Sequence, residues 1–306
     1  MEALKKPSVP TETEQEASQK ARSFWYYAWR RFRRNKLAVT GLVVLTLIVL
    51  VTIFAAPLTK LTLGWGRDEF ELTAIRAIPS ARHPLGTDSV GRDILTRLLY
   101  GGQVSLTIAA VSVLSNMVIG TIIGSIAGYF GGLVDNLLMR LVDIITSLPF
   151  LPIALTLVAI FGPSVRNLIF AIILTGWPGP SRLVRGEFLS LRERDYVEAA
   201  RATGAPARRI IFRHILPNAM PPLIVSATLG IAGIILAEAA LSYLGFGVKV
   251  PTPSWGNLLS EANNIIVLTK MPWMWVPPGL MIFLTVLSVN FVGDGLRDAM
   301  DPRLKR

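Results

Sequence analysis

The sequence contains no cysteine and only two histidines, His83 and His214. A disulfide framework, a thiolate metal site and a histidine-rich metal site are therefore excluded. No Gly-x-x-x-x-Gly-Lys-Ser/Thr loop occurs. The stretch Gly86-Thr-Asp-Ser-Val-Gly91-Arg92-Asp93 has the glycines of a phosphate cradle but lacks its Lys-Ser/Thr ending. Nor is there a His-Glu-x-x-His zinc motif, and neither histidine has a neighbour suited to catalysis, which argues against an enzyme. Charge is scarce too. Only 17% of the 306 residues are charged against 52% hydrophobic, with a mean hydropathy of +0.51. Those proportions belong to multi-spanning membrane proteins rather than soluble domains.

The charge that is present is lopsided, at a formal net +11. In a soluble chain that excess would point to nucleic acid. Here the basic residues collect between apolar runs, so lipid is the expected neighbour and nucleic acid is not.

A bilayer core requires ~20 mainly apolar residues per helix. Six stretches qualify, at 37–56, 104–128, 133–161, 167–183, 222–243 and 275–292. The fourth is broken by Trp177-Pro178-Gly179-Pro180, a kink of the kind tolerated beside a cavity. The first follows polar sequence to Lys36 and is too long for the apolar region of a cleaved signal, so it reads as a retained anchor. Twenty-one of the 31 basic residues fall in the tail to Lys36, between Arg182 and Arg213, or from Arg297 onward. With six spans these segments share one side, and the excess of Lys and Arg places them, and both termini, in the cytoplasm. The expected organisation is a cytoplasmic tail at 1–36, a first span at 37–56, an external segment at 57–102, a transmembrane domain at 103–296 and a cytoplasmic tail at 297–306. The fold class expected is all-α, a polytopic membrane protein of about six transmembrane helices. No repeat of the first half is evident in the second, which weighs against an inverted-repeat secondary transporter.

One polar segment, 182–218, interrupts the apolar runs and includes Glu-Ala-Ala-Arg-Ala-Thr-Gly-Ala-Pro-Ala-Arg-Arg from Glu198 to Arg209. A helix is expected from near Arg182 to Thr203, stopped by Gly204 in the left-handed region. Pro206 then suits the first turn of a second helix. Ile210, Ile211, His214 and Ile215 give that helix an apolar stripe, and Pro217 is expected to end it. Residues alone leave two readings: a solvated basic loop that sets topology, or a knob that docks into a cytosolic partner.

The pattern Glu198-Ala199-Ala200, then Gly204, then Leu216-Pro217 resembles the EAA loop of ABC importer permeases. More narrowly, the chain resembles the second permease of the dipeptide, oligopeptide and nickel class. Trp-Arg-Arg-Phe-Arg-Arg-Asn-Lys from Trp29, His-Pro-Leu-Gly-Thr-Asp from His83, Glu-Ala-Ala-Leu-Ser-Tyr-Leu-Gly from Glu238 and Pro-Ser-Trp-Gly from Pro253 are similar to that class. His214 departs from the generic loop, where many permeases carry Ile. The resemblance implies a type I ABC importer (MetI-like) transmembrane domain, coupled through Glu198, Ala199, Ala200, Thr203, Gly204, Ala205, Pro206 and Arg209. It implies a second permease subunit, two cytosolic ABC ATPases that carry ATP and magnesium, and an extracytoplasmic substrate-binding protein, in a bacterial inner membrane. This chain would bind no cofactor and perform no catalysis. The implied cargo is a di- or oligopeptide; nickel or glutathione in the same machine, or a gradient-driven transporter, are the alternatives.

Other features carry expectations of their own. Thr87 or Asp88 is expected to cap a helix whose Ile94, Leu98 and Leu99 rest on the membrane surface. Gly120, Gly124 and Gly128 form a small-residue face expected to pack within the subunit. Arg140 and Asp143 are expected to pair as i, i+3 neighbours. Glu238 either lines a pathway or caps a local hydrogen-bond network, and Trp177 is expected in the core. The stretch 245–271 is either a contact for the binding protein or an interfacial hairpin.

Overall fold

Helices begin and end where the chain can cap or break them. A computed structural model describes residues 24–301, and among these there is helix and connecting loop but no strand. The tail residues at 1–23 and 302–306, with Lys5, Lys6, Lys20, Arg22, Arg303, Lys305 and Arg306, lie outside the described residues.

Helix α1 (Phe24–Phe32) is amphipathic and leads into α2 (Lys36–Ile53). The Asn35 side chain caps α2 by accepting from the Ala38 amide at 3.1 Å. After α3 (Ala55–Thr62) a long irregular stretch leads to α4 (Ile94–Phe130), an uninterrupted α-helix of 37 residues. At 1.5 Å per residue α4 measures ~55 Å and outruns the ~30 Å hydrocarbon core. It stops at Gly131, whose φ of 65° is open to a residue without a side chain.

Helices α5 (Gly132–Ser147) and α6 (Phe150–Phe161) meet at an 80° bend. The apolar run at 133–161 predicts one continuous span. Pro149 prevents it, because it has no N–H and drives Leu148 to an extended ψ of 124°. Helix α7 (Val165–Gly176) is capped by Ser164, and α8 (Pro178–Leu191) follows across Trp177, which is buried in the core as expected. Helix α9 is Asp195–Ala202. The helix expected to run from Arg182 to Thr203 is thus two helices, parted by a turn at 192–194.

Helix α10 (Ala207–Tyr243) includes a π-helical stretch, Ile210–Ile215, and continues through Pro217 instead of ending there. The π stretch re-registers the carbonyls, and Pro217 falls where the next α segment begins, so its missing N–H is not needed. Short helices α11 (Trp255–Leu259) and α12 (Ile265–Lys270) precede α13 (Pro272–Met300). Among the described residues four helices, α2, α4, α10 and α13, are long and apolar enough to cross a membrane, and the α5–α6 pair is a fifth if the bent pair counts as one span. The broken stretch at 167–183 is α7 and α8 in series; α7 alone, at 12 residues, is too short to span.

Helix α4 is the axis of the packing. Ile108, Ala109 and Val113 on it join Leu168 and Ala171 of α7, Ile235 and Leu241 of α10, and Trp255 in the main core. A second core joins Val184 and Phe188 of α8, Val197 of α9, and Ile210, Ile211 and Ile215. Gly120, Gly124 and Gly128 face α8 within the subunit, as expected. A Cβ at Gly120 would lie 2.6 Å from Pro180 Cβ, and one at Gly128 2.6 Å from Phe188 Cβ. The outward faces of α2 and α4 expose Leu37, Leu47, Leu114 and Val118, an apolar surface that suits lipid or another membrane protein.

At Gly124 a Cβ would collide with the Ser181 carbonyl oxygen, a backbone atom that cannot turn aside. Gly124→Leu is therefore expected to destabilise the fold by about 1–3 kcal/mol or more, lowering the melting temperature of the solubilised protein. Gly233→Ala, where a Cβ meets nothing within 4 Å, is the neutral control. An unchanged melting temperature for Gly124→Leu would contradict the close α4–α8 contact.

Candidate functional site

The polar segment forms a rigid, exposed corner. Helix α9 starts with Asp195 and Glu198 in its first turn, where carboxylates suit the positive helix end. It ends in a Schellman arrangement: the Ala205 amide donates to Ala200 O at 3.1 Å and the Gly204 amide to Arg201 O at 3.0 Å. Gly204 has the expected left-handed φ of 77°. Thr203 Oγ1 donates to Ala200 O at 2.9 Å, closing the same turn. Pro206, at φ −69°, precedes α10 as its cap rather than as its first residue, and its carbonyl accepts from Arg209 and Ile210.

The eight expected coupling residues all lie on this corner. Glu198, Ala199, Thr203, Gly204, Pro206 and Arg209 are exposed, while Ala200 and Ala205 are half-buried against the second core. Ile210, Ile211 and Ile215 of the expected stripe are buried, and His214 sits half-buried beside them. Glu198, Arg201, Arg208, Arg209 and Arg213 make no ion pair among the described residues. Phe212 is 62% exposed among these arginines. The sequence reading missed it; the signal was an aromatic residue that falls off the Ile210–Ile215 stripe. Tyr196, also exposed, was missed for the same reason, standing beside buried Val197.

The corner is tied to the membrane helices by arginines of α8 and the turn after it. Arg185 donates to both carboxylate oxygens of Asp135, at 2.5 and 2.6 Å, joining α8 to α5. Arg192 donates to Gly128 O at the end of α4 at 3.1 Å. Arg182 pairs with Asp143 at 2.8 Å. The expected Arg140–Asp143 pair is thus replaced: Arg182 approaches from a neighbouring helix, and Arg140 stays exposed. No local pattern links residues 50 positions apart, so sequence periodicity missed the Arg185–Asp135 pair.

At the opposite end of α4 a polar knot fastens the loops. Glu238, 1% exposed, accepts from Ser242 and Ser254 at 2.7 Å and from Ser105 at 3.0 Å. Of its two readings, the hydrogen-bond network is the one present. The Trp255 amide donates to Ser105 Oγ at 3.1 Å and its indole to Leu98 O at 3.0 Å, so 245–271 folds back into the core as well as covering the surface. Asp93, rather than Thr87 or Asp88, caps α4, accepting from the Thr96 amide at 2.7 Å. Asp93 stands three residues ahead of that amide, whereas Asp88 is held by Arg92 at 2.7 Å and Thr87 binds Ala74 and Ala77. Ile94 and Leu98 are accordingly buried in the protein and Leu99 is half-buried, so the three do not rest on the membrane. His83 bridges Asp93 (3.1 Å) and Glu71 (3.3 Å).

The family model described as the binding-protein-dependent transport system inner membrane component matches residues 120–306. The chain belongs to that family. The permease also matches, over residues 23–63, the N-terminal transmembrane domain of oligopeptide transport permease C. It is 43% identical to the dipeptide transport system permease protein DppC of Alkalihalophilus pseudofirmus, over 92% of this chain and 90% of that one. It is 39% identical to the oligopeptide transport system permease protein OppC of Bacillus subtilis (94% and 93% covered). It is equally 39% identical to the glutathione transport system permease protein GsiD of Pectobacterium atrosepticum (93% of each chain). Among solved structures, an inward-facing MetNI methionine ABC transporter shares the fold, with a TM-score of 0.55 at 21% identity over 68% of this chain and 98% of that one. The permease is thus a multi-pass membrane component of the MetI-like fold and not itself a catalyst.

The knot around His83 has a defined pH response. The hydrogen bond from His83, aided by Thr73 and Arg82 and opposed by burial, holds the Glu71 carboxyl below its ordinary 4.5. Because the folded value is depressed, its stabilisation is present above 4.5 and is lost as the pH falls through the folded value. Hydrogen exchange, corrected for its intrinsic pH dependence, should show residues 71–88 losing protection as the pH falls below 4.5, and Glu71→Gln should remove that step. A step that persists in Glu71→Gln would contradict the assignment.

Proposed function

We propose that the permease forms half of the pathway of an ATP-driven importer that carries di- or oligopeptides into the cytoplasm of a bacterium. The observation that carries the reading is the corner at 195–209: rigidly capped, exposed, rich in unpaired charge and tied by Arg185 and Arg192 to α5 and α4. A purely solvated loop gains nothing from a Schellman stop, a thin Ala199–Ala200 face and braced arginines. A handle that must transmit force needs all three. Glu198 and the arginines offer charge to a cytosolic ATPase, Gly204 keeps the turn narrow, and Phe212 supplies an apolar contact.

In this reading both termini and the corner are cytoplasmic, and the Glu238 and His83 knots face outside, toward the binding protein that delivers cargo. A second permease completes the pathway, and two ATPase subunits bind ATP and magnesium. Peptide cargo is supported by the dipeptide and oligopeptide relatives at 43% and 39% identity. Glutathione, itself a tripeptide, asks for the same kind of pathway.

Gly204→Val tests the handle. No atom lies within 4 Å of a Cβ there, but a β-branched residue at φ 77° is strained by about 1–3 kcal/mol, enough to reshape the turn. The variant should reach the membrane in native amount while uptake of a labelled dipeptide and a labelled pentapeptide falls about tenfold or more, as a misfitted contact worth ~1.4 kcal/mol would produce. Native uptake by the variant would refute the docking role.

A further inference from the structure

The junction between α1 and α2 concentrates positive charge that no interaction described above meets. The stretch from Arg30 to Lys36 carries Arg30, Arg31, Arg33, Arg34 and Lys36, and no Asp or Glu occurs anywhere from Ala17 to Arg67. Arg31 alone turns inward, its Nη1 donating to Asp301 O at the end of α13 at 3.0 Å. Arg30, Arg33, Arg34 and Lys36 are exposed and make no ion pair among the described residues. Asp294 and Asp298 of α13, the helix on which α1 packs, are exposed too and pair with none of the four.

The level of this junction is set by α2. Leu37, directly after Lys36, is 60% exposed, and Val43, Leu47 and Leu50 continue the exposed apolar face along the helix. Such a face is stable in hydrocarbon, so the residues just ahead of it stand at the level of lipid headgroups. Trp29 stands there as well. It is 55% exposed yet held in place, with its ring stacked 5.9 Å from that of Phe32. Phe32 in turn is buried with Ala28 against Val292 and Ala299 of α13. An apolar ring with one N–H donor suits the boundary between hydrocarbon and water. The long stems of arginine and lysine reach headgroups from the same level. A protein partner would have to bring several carboxylates to one spot, whereas an anionic leaflet presents negative charge wherever the cations fall.

We propose that the α1–α2 junction is a binding site for an anionic phospholipid. Arg30, Arg33, Arg34 and Lys36 take its headgroup, Trp29 lies at its glycerol level, and the exposed face of α2 takes its acyl chains. The lipid neutralises the junction and holds α1 between the membrane surface and α13. The site needs a membrane-embedded α2 and no particular cargo.

The test places the complete transporter in mixed vesicles of phosphatidylcholine and phosphatidylglycerol, with a trace of a photoreactive probe of either lipid. After irradiation, adducts are counted on the fragment 24–50. The ratio of phosphatidylglycerol to phosphatidylcholine adducts should exceed the bulk ratio for the native chain. Arg33→Gln/Arg34→Gln should lower it about fivefold for each charge removed, until the bulk ratio is reached. Lys36→Gln is the second variant should the double one fail to insert, and it should lower the ratio in the same way. Arg33→Lys/Arg34→Lys keeps the charge and should keep the enrichment. A native ratio equal to the bulk, or one that the glutamine variants leave unchanged, overturns the site. A lysine variant that loses as much as the glutamine one overturns recognition by charge. A fragment that neither probe labels also overturns the proposal, because the face is then covered by protein.

Discussion

The close contact between α4 and α8 is the constraint on which the rest depends. Glycines 120, 124 and 128 let the α8 backbone lie directly against α4, and larger side chains at these positions would part them. Helix α8 carries the polar corner at its far end, and α4 carries, toward its other end, the Ser105 and Asp93 attachments of the outer loops. Packed interiors deform little, so helices in such contact move together. In the proposed importer, a push on the corner would reach α4 through this contact without any long chain of side-chain rearrangements.

Around that contact the structure solves the general problem of polar groups in an apolar bundle. Arg185 meets Asp135 with two bonds, and Glu238 is held by three serine hydroxyls. The Asp135 and Glu238 carboxyls are buried, and each would be costly if left unmet. At the corner the opposite holds: charges are exposed and unpaired, which suits a surface that exchanges partners.

Much of this was legible in the residues. Apolar runs marked the long helices, Gly204 marked the stop, and the glycine spacing marked the intrasubunit contact, because each follows from neighbours within a few positions. What was not legible depends on distant partners or on backbone register. Asp143 pairs with Arg182 of α8, 39 positions away in the sequence, instead of with Arg140 on its own helix. Pro149 divides the expected third span, although the apolar run passes through it without change. Pro217 does not stop α10, since the π stretch ahead of it shifts the carbonyls. The Asp93 cap lay hidden behind two other candidates five and six residues upstream, both engaged elsewhere.

The central claim is that the corner at 195–209 seats in a cytosolic ATPase. Because the chain has no cysteine, a single Ala202→Cys places one photoreactive maleimide probe on the exposed last turn of α9. Irradiating the complete transporter in native membranes should join this chain to an ATPase subunit, with a yield that changes when ATP is bound. Adducts with the external binding protein, or none with the ATPase, would contradict the account.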